Sequence, residues 1–210
     1  DPCIFALQAV HDAQIKVGDN VAVFGLGALG LLAVQIARLN GARQIFAVDV
    51  VPARLDFARQ FGADQCLDSS KCDAGLEIKK LTGGKGVDAA IEISGAYSAL
   101  QTAIRSVHPG GLLVTASYFK GNGSQLNLGA EWHHNRLTLV SSMPVWDMPH
   151  RNYPMWDLKR IELTALYLLE TQKLVTSPMI EKRFSYSKAA DAYRFIDADP
   201  GAAVKVILEY

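Results

Sequence analysis

Short apolar runs rich in Val and Ile alternate along the chain with stretches whose apolar residues recur every three or four positions. The first pattern suits strands buried on both faces of a parallel sheet, and the second suits the helices that cover such a sheet. Runs near residues 20–25, 43–49, 87–93, 111–117 and 136–142 predict strands, with a shorter one near 64–67. Leu29, Leu32, Ala33, Ile36 and Ala37 keep helical spacing, as do Leu55, Ala58 and Phe61 after Pro52, a residue suited to a first helical turn. Gly41 and Gly62 stand where those helices should end, and Gly121–Ser124 reads as a loop. The fold class this predicts is α/β, a doubly wound parallel sheet with helices on both faces.

Beyond about residue 142 the alternation loosens. Prolines at 144, 149 and 154 precede a long amphipathic helix over 156–172, a second helix from Ser187 and a final strand over Val204–Leu208. The expected organisation is a junction helix over 1–15, a main domain over 16–142 and a C-terminal helical and strand tail over 143–210.

Composition removes several classes of function. The chain has 210 residues, half of them hydrophobic, with 21 basic and 21 acidic side chains, so no basic field exists to recruit nucleic acid or an anionic membrane. No apolar run approaches the roughly 20 residues that span a bilayer, and a cytoplasmic setting is the expectation. Cys3, Cys66 and Cys72 are odd in number and lack C-x-x-C spacing, which indicates free thiols.

Chemistry concentrates at Gly25-Leu26-Gly27-Ala28-Leu29-Gly30. A G-x-G-x-x-G pattern is weak alone, but here it follows a predicted strand and opens a predicted helix. The first glycine permits the turn, the second lets backbone approach a pyrophosphate, and the third lets helix and strand pack closely. The helix N-terminus adds unpaired N–H groups and partial positive charge. Asp49 ends the second strand nineteen residues after Gly30, where a carboxylate that binds ribose hydroxyls belongs. Together these predict NAD binding in a Rossmann sheet. A second glycine cluster, Leu81-Thr82-Gly83-Gly84-Lys85-Gly86, lacks the Ser or Thr that should follow its lysine and precedes a strand, so it reads as a connecting loop.

With these residues placed, the chain resembles the cofactor-binding half of the medium-chain zinc-dependent alcohol and polyol dehydrogenases. The resemblance is carried by Asp1-Pro2 and the helix leading to KVGD (16–19), VAVFGLGALGLLAVQIA, VDVVPARLDFARQFGAD, VDAAIEISG (87–95) and HPGGLLVTAS (108–117). It implies that Arg54, five residues beyond the acid, touches the adenosine ribose or a phosphate. Ser94 and Gly95 would border the cofactor, and the backbone near Thr115, Ala116, Thr138 and Val140 would face the nicotinamide amide. It also implies that Asp1 joins the catalytic zinc's ligands in the intact protein, although Asp1 suits a helix N-cap equally well.

The remaining zinc ligands would come from a separate preceding domain that this chain lacks, and the tail would return to that domain. His133 and His134 are adjacent and point apart, and His11, His108 and His150 are isolated, so none makes a metal site. Trp146, His150, Arg151, Tyr153 and Trp156 could border a substrate pocket or pack between subunits. A homo-oligomer joined at the sheet edge near 136–146 is implied.

The expected function is the NAD-binding part of a dehydrogenase that oxidises a secondary alcohol or polyol by hydride transfer to NAD, inactive as this chain alone. Two alternatives remain at this point: a standalone module that senses NAD, and a zinc-free reductase of the same superfamily.

Overall fold

The computed structural model describes residues 1–144 and 153–210. Helix α1 (Pro2–Asp12) leads into β1 (Asn20–Phe24), and four alternations follow: α2 (Ala28–Leu39), β2 (Gln44–Asp49), α3 (Pro52–Gln60), β3 (Gln65–Asp68), α4 (Ala74–Leu81), β4 (Val87–Glu92), α5 (Tyr97–Ser106) and β5 (Val107–Thr115). Strand β6 (Thr138–Ser141) completes a parallel sheet of order β3-β2-β1-β4-β5-β6. The order reverses between β1 and β4, so their following turns diverge and leave a crevice at the C-terminal edge.

Alternation along the strands divides the core. Val21, Val23, Ile45, Ala47 and Ile91 face one side, against α1, α2, α3 and α6 (Leu158–Glu170). Ala22, Phe24, Phe46, Val48, Ala90 and Leu113 face the other, against Ala74 and Ile78 of α4 and Leu100, Ala103 and Ile104 of α5. Every one of these strand residues is nearly or wholly buried, as the unbroken apolar runs require.

Five of the six sheet strands and helices α2 and α3 lie where the sequence pattern places them. Strand β5 differs: it begins at Val107 and ends at Thr115, whereas the expected run covered 111–117. Val107 pairs with Val87, and the register then slips until Leu112 pairs with Ala89. His108-Pro109-Gly110-Gly111 forms this irregularity, and its turn-like composition conceals the strand's first half.

Beyond β6, α6 docks on the main body by burying Ile161 and Ala165 in the first core. Gln35 fixes the next turn, its Oε1 accepting from the Val175 amide at 2.8 Å and its Nε2 donating to the Val175 carbonyl at 3.1 Å. The chain then forms β7 (Ile180–Ser185), α7 (Ala189–Ala198) and β8 (Lys205–Glu209), a separate parallel pair joined by the helix. Strand β7 was not among the expected elements. The helix expected from Ser187 starts at Ala189, after a single 3₁₀ turn over Tyr186–Lys188.

Candidate functional site

The turn after β1 is built by three glycines, each for a different physical reason. Gly25 has φ +91°, a left-handed conformation strained for any residue with a Cβ, and a Cβ there would lie 2.7 Å from the Ser94 Cβ. A Cβ on Gly30 would be driven into the Gly25 carbonyl oxygen, so the first turn of α2 can close on β1 only without one. Gly27 is the opposite case, because nothing lies within 4 Å of where its Cβ would stand. It caps α2 with no side chain and leaves the space beside the helix N-terminus open.

That space is part of a cavity of about 410 Å³ across the crevice. Gly25, Gly27, Asp49, Arg54 and Ser94 line it, so five of the residues singled out from sequence converge here. Leu26 does not line it: its side chain is buried, and its contribution is a backbone N–H donated to Asp49 Oδ2 at 2.6 Å. The other oxygen, Asp49 Oδ1, accepts from the amides of Val50 and Val51 at 2.8 and 2.9 Å. These three donors fix one carboxylate against both the glycine turn and the β2–α3 turn, at the cavity rim.

Arg54 occupies the first turn of α3. Its Nη2 donates to the Pro200 carbonyl at 2.7 Å, which ties the turn before β8 to this rim, while its Nε is buried without a hydrogen-bond partner. Ala28, Leu29 and Gly30 form the start of α2, and Gly95 follows Ser94 in the β4–α5 turn. Thr115 ends β5 and Ala116 follows it, while Thr138 and Val140 lie in β6, separated from β1 by β4 and β5; none of these lines the cavity.

Two contributions escaped the sequence reading. Ser69, Ser98 and Thr102 add hydroxyl-bearing residues to the cavity wall. More consequential is Glu92, the last residue of β4, which is fully buried. Its Oε1 accepts from the Ser94 amide at 2.8 Å, the Ser94 hydroxyl and the Gly95 amide at 3.1 Å, and its Oε2 accepts from the Ser117 hydroxyl at 2.6 Å. Burial pushes the Glu92 carboxyl above its ordinary range, against the downward pull of these hydrogen bonds. The signal in the sequence was an acid closing the apolar run Ala89–Ile91 of β4.

Among the described residues no three His, Cys, Asp or Glu side chains converge to hold a metal ion. His133 and His134 are exposed and meet edge to face at 5.4 Å, and His11 packs edge-on to Trp156 at 4.4 Å. Asp1 stands at the N-cap of α1, but its side chain makes no capping hydrogen bond. The three cysteines are free. Tyr153 and Trp156 line a small cavity with His11 and Gln14, while Trp146, His150 and Arg151 lie outside the described residues. No helix among the described residues is long and apolar enough to cross a membrane.

A doubly wound sheet with a glycine turn and an acid at its switch point defines a dinucleotide-binding type of domain, and the comparisons refine this. The chain belongs to the zinc-binding dehydrogenase family, whose sequence profile matches residues 28–158, more than half of it. It is similar to D-guloside 3-dehydrogenase of Escherichia coli (strain K12), with 39% identity over 207 residues that make up 98% of this chain and 59% of that one. Among solved structures it is similar to galactitol-1-phosphate dehydrogenase from Escherichia coli, with a TM-score of 0.83 at 28% identity, covering 99% of this chain and 58% of that one. The 2R,3R-butanediol dehydrogenase from Bacillus subtilis gives 0.82 at 26% identity, covering 100% and 56%. This chain therefore spans a little under three fifths of the length of these relatives.

Proposed function

We propose that this chain is the NAD-binding part of a dehydrogenase that oxidises a secondary alcohol or polyol. The observation that carries the reading is Gly27, whose missing side chain leaves backbone open onto the crevice at the start of α2. A pyrophosphate fits such a place because its oxygens accept from the orphan N–H groups of the helix and complement its dipole. Asp49, already oriented by three amides, would accept from the adenosine ribose hydroxyls and repel a 2′-phosphate, which favours NAD over NADP. The buried Nε of Arg54 gives the same rim a second polar group.

NAD supplies the hydride acceptor, and this chain's residues bind and orient it. Gly95, Thr115, Ala116, Thr138 and Val140 would border its nicotinamide half. The described residues do not by themselves form a zinc site. Asp1, with its carboxylate uncommitted to the α1 cap, would join ligands contributed by a separate catalytic domain, to which the tail beyond residue 143 would return. The relatives are named for guloside, galactitol phosphate and butanediol, which supports a substrate among polyhydroxy compounds and small diols. Strand β6 lies at one edge of the sheet with Leu139 exposed, and edge-to-edge pairing there would give a dimer in the cytoplasm.

Titration of the chain with NADH, followed by an assay of NADH production from NAD over a panel of polyols, tests the reading. Saturable binding without turnover by these 210 residues is expected. Absence of binding would overturn the cofactor assignment, and turnover would overturn the need for a separate domain.

A further inference from the structure

Glu92 is the deepest charged side chain near the crevice, yet it does not line the cavity. Its carboxylate gathers four donors from two different turns. Ser94 and Gly95 belong to the turn after β4, and Ser117 follows β5. The β4 turn in turn abuts the glycine turn so closely that Gly25 cannot carry a Cβ beside Ser94. On its other side Gly95, at φ +77°, leaves no room for a Cβ beside the Tyr118 carbonyl, 2.9 Å away. The turns after β1, β4 and β5 therefore touch in sequence, with one buried carboxylate holding the middle turn.

We propose that Glu92 is a positioning residue for the dinucleotide: by clamping Ser94 and Gly95 it sets how far the β4–α5 turn stands from Gly25, and hence the width of the cleft that receives the cofactor. The inference rests on the NAD-binding reading above. A carboxylate suits the task because it only accepts, and all four groups aimed at it are donors. Gln in its place has the same shape but only one oxygen to accept: an NH₂ on the Oε1 side would meet the Ser94 and Gly95 amides head-on, and on the Oε2 side it would force the Ser117 hydroxyl to turn round and accept. An apolar core contact could hold the same two strands together, but it would not fix the amides of Ser94 and Gly95 in direction.

Glu92→Gln and Ser117→Ala test this in the full chain, with two measurements: NADH affinity and hydrogen exchange at the amides of Ser94 and Gly95. Glu92→Gln should weaken NADH binding at least about tenfold and speed exchange at both amides by a similar factor. Ser117→Ala, which keeps the charge and one fewer bond, should weaken binding about threefold with little change in melting temperature, and Ser117→Thr, which keeps the hydroxyl, should restore it. Should Glu92→Gln not fold, the Ser117 pair decides alone.

Wild-type affinity in the folded variants overturns the proposal, and so does unchanged exchange at Ser94 and Gly95. Failure of the unsubstituted protein to bind NADH, with exchange still accelerated in Glu92→Gln, would instead overturn the cofactor reading and leave the clamp standing as a feature of the fold alone.

Discussion

Two glycine-rich loops lie at opposite edges of the same sheet, and they use glycine to different ends. At the C-terminal edge, residues 25–30 follow a strand and open a helix, so their backbone borders the crevice. At the N-terminal edge, Gly83, Gly84 and Gly86, all with positive φ, follow α4 and lead into β4. There Lys79 of α4 braces the loop: its Nζ donates to the carbonyls of Lys85 and Val107, both at 2.9 Å, and Thr82 Oγ1 accepts from the Gly86 amide at 2.8 Å. Burial also pulls the Lys79 ammonium below its ordinary range.

A cavity of about 820 Å³ opens at that edge, twice the volume of the crevice, so volume does not identify the site. What does is the order of elements around the loop, which decides whether helix N–H groups point into the space or away from it.

Filling the glycines separates their roles with the largest effects. Gly30→Ala should destabilise the protein by at least about 3 kcal/mol, because its methyl meets the Gly25 carbonyl, a backbone group that cannot swing aside. Gly27→Ala meets nothing and should keep the melting temperature within a few degrees, yet weaken NADH at least about tenfold by crowding the space proposed for phosphate. Thermal unfolding and titration calorimetry on both variants read the two effects separately. Equal losses of stability would mean that the second glycine is as structural as the third.

The buried carboxylate gives a pH-dependent prediction of intermediate size. Because burial raises the folded-state pKa of Glu92 above its unfolded value, the native state holds its proton more tightly there. Its contribution to stability is then fully present below the ordinary glutamate range and is lost as pH rises through the raised folded value. Relative to Glu92→Gln, which has no such proton, wild-type unfolding free energy should fall across that window. Urea unfolding at a series of pH values measures it, and a difference that grows with pH would contradict the stated direction.

The smallest effect belongs to the opposite edge. Lys79→Met removes the two hydrogen bonds that close the 83–86 loop and should cost about 1 kcal/mol, since the ammonium remains partly hydrated. NADH affinity should be unchanged within twofold, and a larger change in calorimetry would mean that the two edges are coupled.

Most of the sheet was legible in the sequence because parallel strands covered on both faces must be apolar throughout, as VAVF, IFAV and AAI are. The glycine turn was legible because its three glycines answer to separate steric demands within one βαβ unit. Strand β7 was not, since Glu181, Lys182 and Arg183 sit exposed at its centre and leave only Ile180 and Phe184 to mark it. The first half of β5 was hidden by Pro109, Gly110 and Gly111. Glu92 was passed over because, unlike Asp49, it stands at no diagnostic spacing from the glycine turn. Its role depends on Ser117, which reaches it from the turn after the neighbouring strand, 25 positions along the chain.

In the proposed site the turn at 25–30 and the acid at 49 together hold NAD. Its most direct test is competitive titration of NADH and NADPH into the wild-type protein and Asp49→Ser. Wild type should prefer NADH at least about tenfold, or 1.4 kcal/mol, and the variant should narrow the gap by losing the carboxylate proposed to contact ribose and repel a 2′-phosphate. Equal affinities for the two dinucleotides in the wild-type protein, or a preference unmoved by the substitution, would contradict it.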